Sequence, residues 1–148
     1  MELKDMWLQI VALTRAINDK CEDGHLNARG PAFYAIHRTF EKVQEGISDD
    51  DTALADMPDL IMEVFYGGRA NPFPSSNEIV DVEKRMLGVP SSDSMELGRQ
   101  VRDLLVRALE LLNDIADDDD TSTGENDLAA NLARQLQHRL YFINNYLG

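Results

Sequence analysis

The stretch His25-Leu-Asn-Ala-Arg-Gly-Pro-Ala-Phe-Tyr-Ala-Ile-His37 decides how the first part of the chain folds. Its Gly-Pro pair predicts a sharp helix start, because proline suits the first position of a helix. His37 and Glu41 are four residues apart, so they share one face of that helix. His25 precedes the turn, where a chain reversal can bring it back toward the same end of the next helix.

These residues predict a metal site at the start of the second helix. Two imidazole nitrogens and at least one carboxylate oxygen suit a first-row divalent metal, including iron. The alternative interpretation is that His25 and His37 are two unrelated surface histidines on an acidic protein.

Length and composition favour one domain over residues 1–148. A chain of this size buries most of its apolar surface without covalent cross-links. Cys21 is the single cysteine, which excludes an internal disulfide and favours a reduced, cytoplasmic setting. No apolar run approaches the length of a membrane span, and the mixed charge of the first residues is unlike a signal peptide.

The formal net charge of −13 bears on partners. Binding to a nucleic-acid backbone needs clustered lysine and arginine side chains, and here the positive residues are scattered. We therefore expect no DNA binding. The acidic balance is compatible with cation binding, with solubility or with mimicry of nucleic acid.

Apolar residues recur at helical spacing through most of the chain, and no segment shows the alternation of a strand. The pattern predicts four long helices, with a short helix in the link between the second and third. We expect Pro58 to kink or split the second helix, and Ser75-x-x-Glu78 to start the short one. The predicted helices run from Leu3 to Cys21, from Phe33 to Tyr66, from Asn77 to Leu87 (the short one), from the start signal at Asp93 through Ile115, and from Glu125 to Tyr146. One long link in a four-helix bundle is the connectivity of ferritin-like folds.

The stretch from His25 to His37 resembles the signature of the mini-ferritins of the Dps family. In that family a His-Trp-Asn-x-x-Gly-x-x-Phe-x-x-x-His pattern joins the first and second helices. The short helix Asn77 to Leu87, the Asp-rich link Asp117 to Asp120 and the final Tyr141-Phe142-Ile143 are also similar to family features. The resemblance covers nearly the whole chain, and the His-to-His motif is its most specific part.

The resemblance implies an all-α, ferritin-like four-helix bundle that assembles into a hollow dodecamer. Members of the family oxidise Fe(II), usually with hydrogen peroxide or otherwise with oxygen, and store ferric mineral inside the cage. The resemblance also implies a two-iron ferroxidase site between subunits related by a two-fold axis. Two histidines and one acid come from one subunit, and two further acids come from its partner.

Carried over by position, His25 and His37 match the two histidines, and Glu41 falls where the family usually has aspartate. The partner acids have two alternative registers. Ungapped counting puts Thr52 and Asp56 at those places, so that one carboxylate is missing. An insertion in the second helix would instead bring Asp59 and Glu63 into the Asp-x-x-x-Glu pattern, and Asp51 is a further candidate.

Two departures from the family pattern keep other functions open. Leu26 replaces the family tryptophan, and no Lys-rich tail precedes the first helix. One alternative is a cage with a degraded ferroxidase site that acts as a structural or weak metal-binding protein. Another is an acidic interaction protein, such as a nucleic-acid mimic.

Overall fold

The computed structural model describes all residues 1–148 and contains helices and turns but no β-strand. A 3₁₀ turn, Leu54–Asp56, precedes the third helix, and a π-helical turn, Met62–Gly67, follows it. The prediction of an all-α chain is confirmed, and six helices without strands are compatible with a helical bundle. The α-helices are α1 (Leu3–Leu26), α2 (Phe33–Glu45), α3 (Met57–Ile61), α4 (Ser76–Leu87), α5 (Ser94–Asp117) and α6 (Thr123–Leu147).

Helix α1 lies at the centre of the packing, because it contacts α2, α3, α4 and α5, while α5 also packs along α6. The apolar stripe predicted for each long helix faces this core. Removal of such side chains from water is the main force that folds the chain, at about 25 cal/mol per Å² of apolar surface. Side chains with no exposed surface include Trp7, Ile10, Leu13, Ile17, Phe40, Leu97, Leu105 and Leu136.

Side-chain caps define where three helices begin. The Ser75 hydroxyl accepts a hydrogen bond from the Glu78 backbone N–H, and an oxygen of Asp93 accepts one from the Met95 backbone N–H. Ser122 and Glu125 form a capping box, so α6 begins at Thr123, slightly earlier than predicted. These caps satisfy backbone donors that have no partner within the helix.

The prediction of one long second helix from Phe33 to Tyr66 is wrong. Helix α2 ends at Glu45, and regular helix resumes only at Met57. Gly46 ends α2 with φ of +117°, a backbone conformation that favours glycine. Pro58 does not split a helix, since it lies in the first turn of α3, where proline is tolerated.

Polar side chains build this break. The Asp51 carboxylate accepts hydrogen bonds from the backbone N–H groups of Ile47 and Ser48. Arg139 of α6 is fully buried and donates to the carbonyl oxygens of Val43 at 2.7 Å and Thr52 at 2.6 Å. The apolar spacing is retained across the loop, which is why periodicity alone did not reveal it.

None of the six helices combines the length and the low polarity needed to cross a membrane. This agrees with the absence of a long apolar run in the sequence.

Candidate metal centre

The turn between α1 and α2 brings His25 and His37 together. Helix α1 continues to Leu26, so His25 lies in its last turn, while His37 lies in the second turn of α2. Gly30, at φ of +79°, reverses the chain between them. The His25 carbonyl oxygen lies 3.3 Å from Nδ1 of His37, which ties the second imidazole to the end of α1.

A close helix contact fixes this arrangement. Gly24 is buried inside α1, and the ring of Phe40 from α2 lies directly over it. A Cβ atom at position 24 would lie 2.6 Å from three carbons of that ring, which is closer than atoms pack. The absence of a side chain at Gly24 therefore lets α1 and α2 approach, next to both His25 and Glu41.

His25, His37 and Glu41 form a compact group, called here the His–Glu cluster. Oε2 of Glu41 lies 3.7 Å from Nε2 of His37 and 4.0 Å from Nδ1 of His25. The two imidazole centroids are 3.8 Å apart, and the rings are inclined by 32°. One ligand atom from each residue therefore faces a common point, as the sequence predicted for these three residues.

The donor set of the His–Glu cluster fits a divalent metal. One ligand atom from each residue lies within 4.8 Å of the other two. Ligand atoms that share one first-row ion are about 3–3.5 Å apart, since each metal–ligand bond is about 2 Å, so small side-chain shifts suffice. Nδ1 of His25 is buried and has no hydrogen-bond partner, an arrangement that costs free energy unless a ligand satisfies it.

Solvent reaches one side of the cluster. The side chains of His25, His37 and Glu41 are 20%, 30% and 27% exposed. Three protein ligands on one side leave coordination positions for further ligands, which Fe(II) and similar ions require.

Arg38 engages the other oxygen of the cluster's carboxylate. Its Nη1 donates to Oε1 of Glu41 and lies 3.9 Å from Oε2 of Glu45. Glu41 therefore presents Oε2 to the imidazoles and Oε1 to a guanidinium. Sequence reasoning did not single out Arg38, although its spacing to Glu41 is typical of a helical ion pair.

Glu22 is a second residue that sequence reasoning missed. It stands three residues before His25, and the two form the only Glu-x-x-His of the chain, a spacing known from ferritin-like metal sites. Its carboxylate accepts a hydrogen bond of 2.9 Å from the Gln44 side chain of α2. Glu22 thus extends the polar face of α1 beside the cluster.

The other candidate acids lie apart from the His–Glu cluster within one subunit. Asp56, Asp59 and Glu63 are exposed, and none belongs to the group of close ligand atoms. Asp59 lines an open cavity of about 240 Å³ with Arg15, Asn18 and Asp19 of α1, among others.

Asp51 and Thr52 serve the loop after α2. Burial alone would raise the pKa of the Asp51 carboxyl, but hydrogen bonds from Ser48 and Ile47 outweigh it and lower that pKa below its usual value. The Thr52 backbone N–H donates to Oε1 of Gln135, and its carbonyl oxygen accepts from Arg139. Asp51 is therefore occupied by contacts within the loop, and Thr52 by contacts that hold the loop against α6.

A pair of acids joins α1 to α4. Glu83 is buried and accepts a hydrogen bond of 3.0 Å from Nε of Arg15. Desolvation, then a hydrogen bond with Glu83 and the negative charge of Glu83, together raise the pKa of Asp19 to about 7. Asp19 is exposed, so solvent partly screens the two carboxyls from one another.

Comparison with known proteins gives no assignment for the His–Glu cluster. No protein-family model matches the chain, and no curated protein matches it. The chemistry of the cluster is therefore inferred from its residues and their geometry.

Proposed function

We propose that this chain is the subunit of a Dps-like mini-ferritin that oxidises Fe(II) with hydrogen peroxide or oxygen and stores the ferric product in an oligomeric cage. The observation that carries the proposal is the His–Glu cluster, with its unpartnered Nδ1 on His25. Fe(II) is the substrate here. His25 and His37 bind and orient the ion, and the carboxylate of Glu41 offsets the positive charge that grows when it is oxidised.

The cluster is proposed to be completed by acids of a second subunit. The Thr52 and Asp56 register counts residues along an unbroken helix after Glu41, whereas a loop follows α2. The loop supports the alternative, in which an insertion brings Asp59 and Glu63 of the partner subunit into place as the further carboxylates. These two residues are one helical turn apart on an exposed surface, as partner ligands require.

The position of Asp59 supports a two-fold arrangement. Arg15, Asn18, Glu22 and His25 are spaced at three or four residues, so they share one face of α1. Asp59 lies beside Asn18 on this face, and His25 is about 10 Å further along it. A two-fold axis between the two positions would bring Asp59 of the partner subunit to the His–Glu cluster.

The proposed cage builds on a ferritin-like arrangement of the helices. In it, α1, the α2–α3 segment, α5 and α6 form the four members of the bundle, and α4 lies in the long crossover. Shared ligands would link metal binding to assembly, because an ion that binds only the assembled form stabilises it.

A second candidate is a cage with a weakened iron site. The hydrogen bond from Arg38 to Glu41 favours it, since the guanidinium competes with a metal ion for the same carboxylate. This candidate predicts the same assembly but no acceleration of iron oxidation.

The decisive experiment loads the purified protein with Fe(II) under anaerobic conditions, adds hydrogen peroxide or oxygen, and follows ferric absorbance. The mass of the same sample is determined by light scattering. A particle of about twelve subunits, as the family resemblance implies, with oxidation faster than buffer, is expected. A cage without faster oxidation would favour the second candidate, and a small oligomer without either property would favour the acidic interaction protein.

Two variants locate the activity. His37→Ala is expected to weaken Fe(II) binding and slow oxidation while the assembly stays intact, because the cluster is polar and partly exposed. His138→Ala removes an exposed imidazole on α6 and serves as the matched control. Equal oxidation rates in the two variants would contradict the site assignment.

A further inference from the structure

The cation that already contacts Glu41 is the side chain of Arg38. The guanidinium Nη1 bonds Oε1 of Glu41 and faces Oε2 of Glu45, one helical turn further along α2. The guanidinium, which is hydrogen-bonded to Glu41 and lies 3.9 Å from Glu45, occupies the place that a second metal ion would take if both acids were free. The remaining oxygen of Glu41, Oε2, is the one that faces the two imidazoles.

We propose that Arg38 is a positioning residue that restricts the His–Glu cluster to one metal ion per chain, by taking the place of a second cation on Glu41. The proposal rests on the proposed function. It differs from the two-iron site that the family resemblance implies, because a carboxylate that bridges two ions with one oxygen on each needs both of its oxygens free, and Arg38 occupies Oε1 of Glu41.

Two physical effects keep a second ion away. A charge-assisted hydrogen bond to Oε1 is among the stronger polar contacts, so an ion that displaced it would have to recover that free energy. The guanidinium charge also repels a dication bound a few ångströms away, and partial exclusion of water strengthens this repulsion. The hydrogen bond leaves Oε2 available to the first ion, whose affinity the guanidinium charge lowers without blocking its ligands.

Arg38 also fixes the rotamer of Glu41. Both residues are partly exposed, with side chains 40% and 27% accessible, and an unrestrained glutamate at such a position samples several conformations. The hydrogen bond from Arg38 holds the carboxylate with Oε2 toward His25 and His37. The first ion therefore meets a carboxylate that is already oriented.

The test is an anaerobic titration of the assembled protein with Co(II), followed by visible absorption and calorimetry. Wild type is expected to bind one Co(II) per chain. Arg38→Gln is expected to bind two, because Glu41 and Glu45 are then both free. Its first ion should bind about three- to tenfold more tightly, since the removal of a neighbouring positive charge outweighs the loss of the orientation that Arg38 gives to Glu41.

Control variants separate charge from position. Arg38→Lys keeps the charge and is expected to retain one Co(II) per chain. Arg99→Gln removes an exposed arginine that pairs with Glu96 at the same helical spacing, and it should bind like wild type. Adding Glu45→Gln to Arg38→Gln should remove the second ion.

The outcomes distinguish this proposal from the function on which it rests. One Co(II) per chain in wild type and in Arg38→Gln, with equal affinity, would overturn the role of Arg38 and leave the metal centre standing. Two Co(II) per chain in wild type would do the same. If no Co(II) binds to either protein, the metal centre is wrong and the role of Arg38 is wrong with it.

Discussion

Phe40 packs its ring onto the backbone of Gly24, and this contact sets how closely α1 and α2 approach. His25 and Glu41 of the His–Glu cluster are the direct sequence neighbours of these two residues. The contact of Phe40 with Gly24 and the His–Glu cluster therefore lie side by side where α1 meets α2.

Gly24→Ala is expected to destabilise the protein by about 1–3 kcal/mol, although alanine favours helix more than glycine does, because the added methyl group collides with a buried ring. The shift of α2 should also weaken Co(II) binding. Urea unfolding and metal titration measure the two effects. Gly124→Ala, where a Cβ meets no atom within 4 Å, is the control. A Gly24→Ala protein as stable as wild type would contradict the close packing.

Arg139→Met is expected to cost about 2–4 kcal/mol, because the carbonyl oxygens of Val43 and Thr52 lose their donors inside the protein. Burial lowers the pKa of the Arg139 guanidinium, which agrees with its enclosed position. The measurement is chemical unfolding, with Arg134→Met, an exposed arginine of the same helix, as the control. Equal decreases in the free energy of unfolding of the two variants would show that Arg139 does not hold the loop after α2.

Stability should depend on pH through Asp19. Its pKa is about 7 in the folded chain and has a usual value of 3.8, so the folded state binds the extra proton. Stability from this group is complete below about pH 4 and is lost as the pH rises through about 7. Solvent screening limits the effect, and we expect wild type to lose about 2–4 °C in Tm between pH 5 and pH 8 relative to Asp19→Asn.

Asp114→Asn, which removes an exposed carboxylate from α5, provides the comparison for this pH series. The Tm of Asp114→Asn should change with pH in the same way as the Tm of wild type. Parallel Tm curves for wild type and Asp19→Asn would mean that the carboxyl pair of Asp19 and Glu83 holds no proton near neutral pH.

Duplex DNA should not be retained at about 150 mM salt. The net charge of −13 repels phosphate, and binding to DNA draws its affinity from released counterions at lysine and arginine contacts. A gel-shift titration with a basic DNA-binding protein on the same gel tests this. A shifted band that depends on protein concentration would contradict the expectation.

The sequence predicted the parts of the fold that local rules control. Apolar spacing identified α1, α5 and α6, and the caps at Ser75 and Asp93 marked helix starts, because these signals act over a few residues. The break after α2 was missed, since it depends on Arg139, far away in sequence, which supplies donors to the broken end. Gly46 and Asp51 are local signals for the break, but the apolar spacing that continues past them favoured one long helix.

For the candidate site, spacing and the turn predicted that His25, His37 and Glu41 lie together. The contact of Arg38 with Glu41 was missed because every helix has many i, i+3 pairs, and only the side-chain geometry shows which of them form. Asp19 and the buried Glu83 belong to two helices that are distant in sequence, so the raised pKa of Asp19 follows from how those helices pack.

The loop between α2 and α3 has a consequence for how the sequence can vary. In a continuous helix, each inserted residue turns all later side chains by about 100° about the helix axis. Here a loop separates α2 from α3, so we expect that a residue gained or lost next to Asp49 and Asp50, outside the hydrogen bonds of Asp51 and Thr52, would not turn the face of α3 relative to α2. The loop that separates the His–Glu cluster from Asp59 and Glu63 could therefore differ in length between related sequences, while both parts of the proposed iron site keep their orientation.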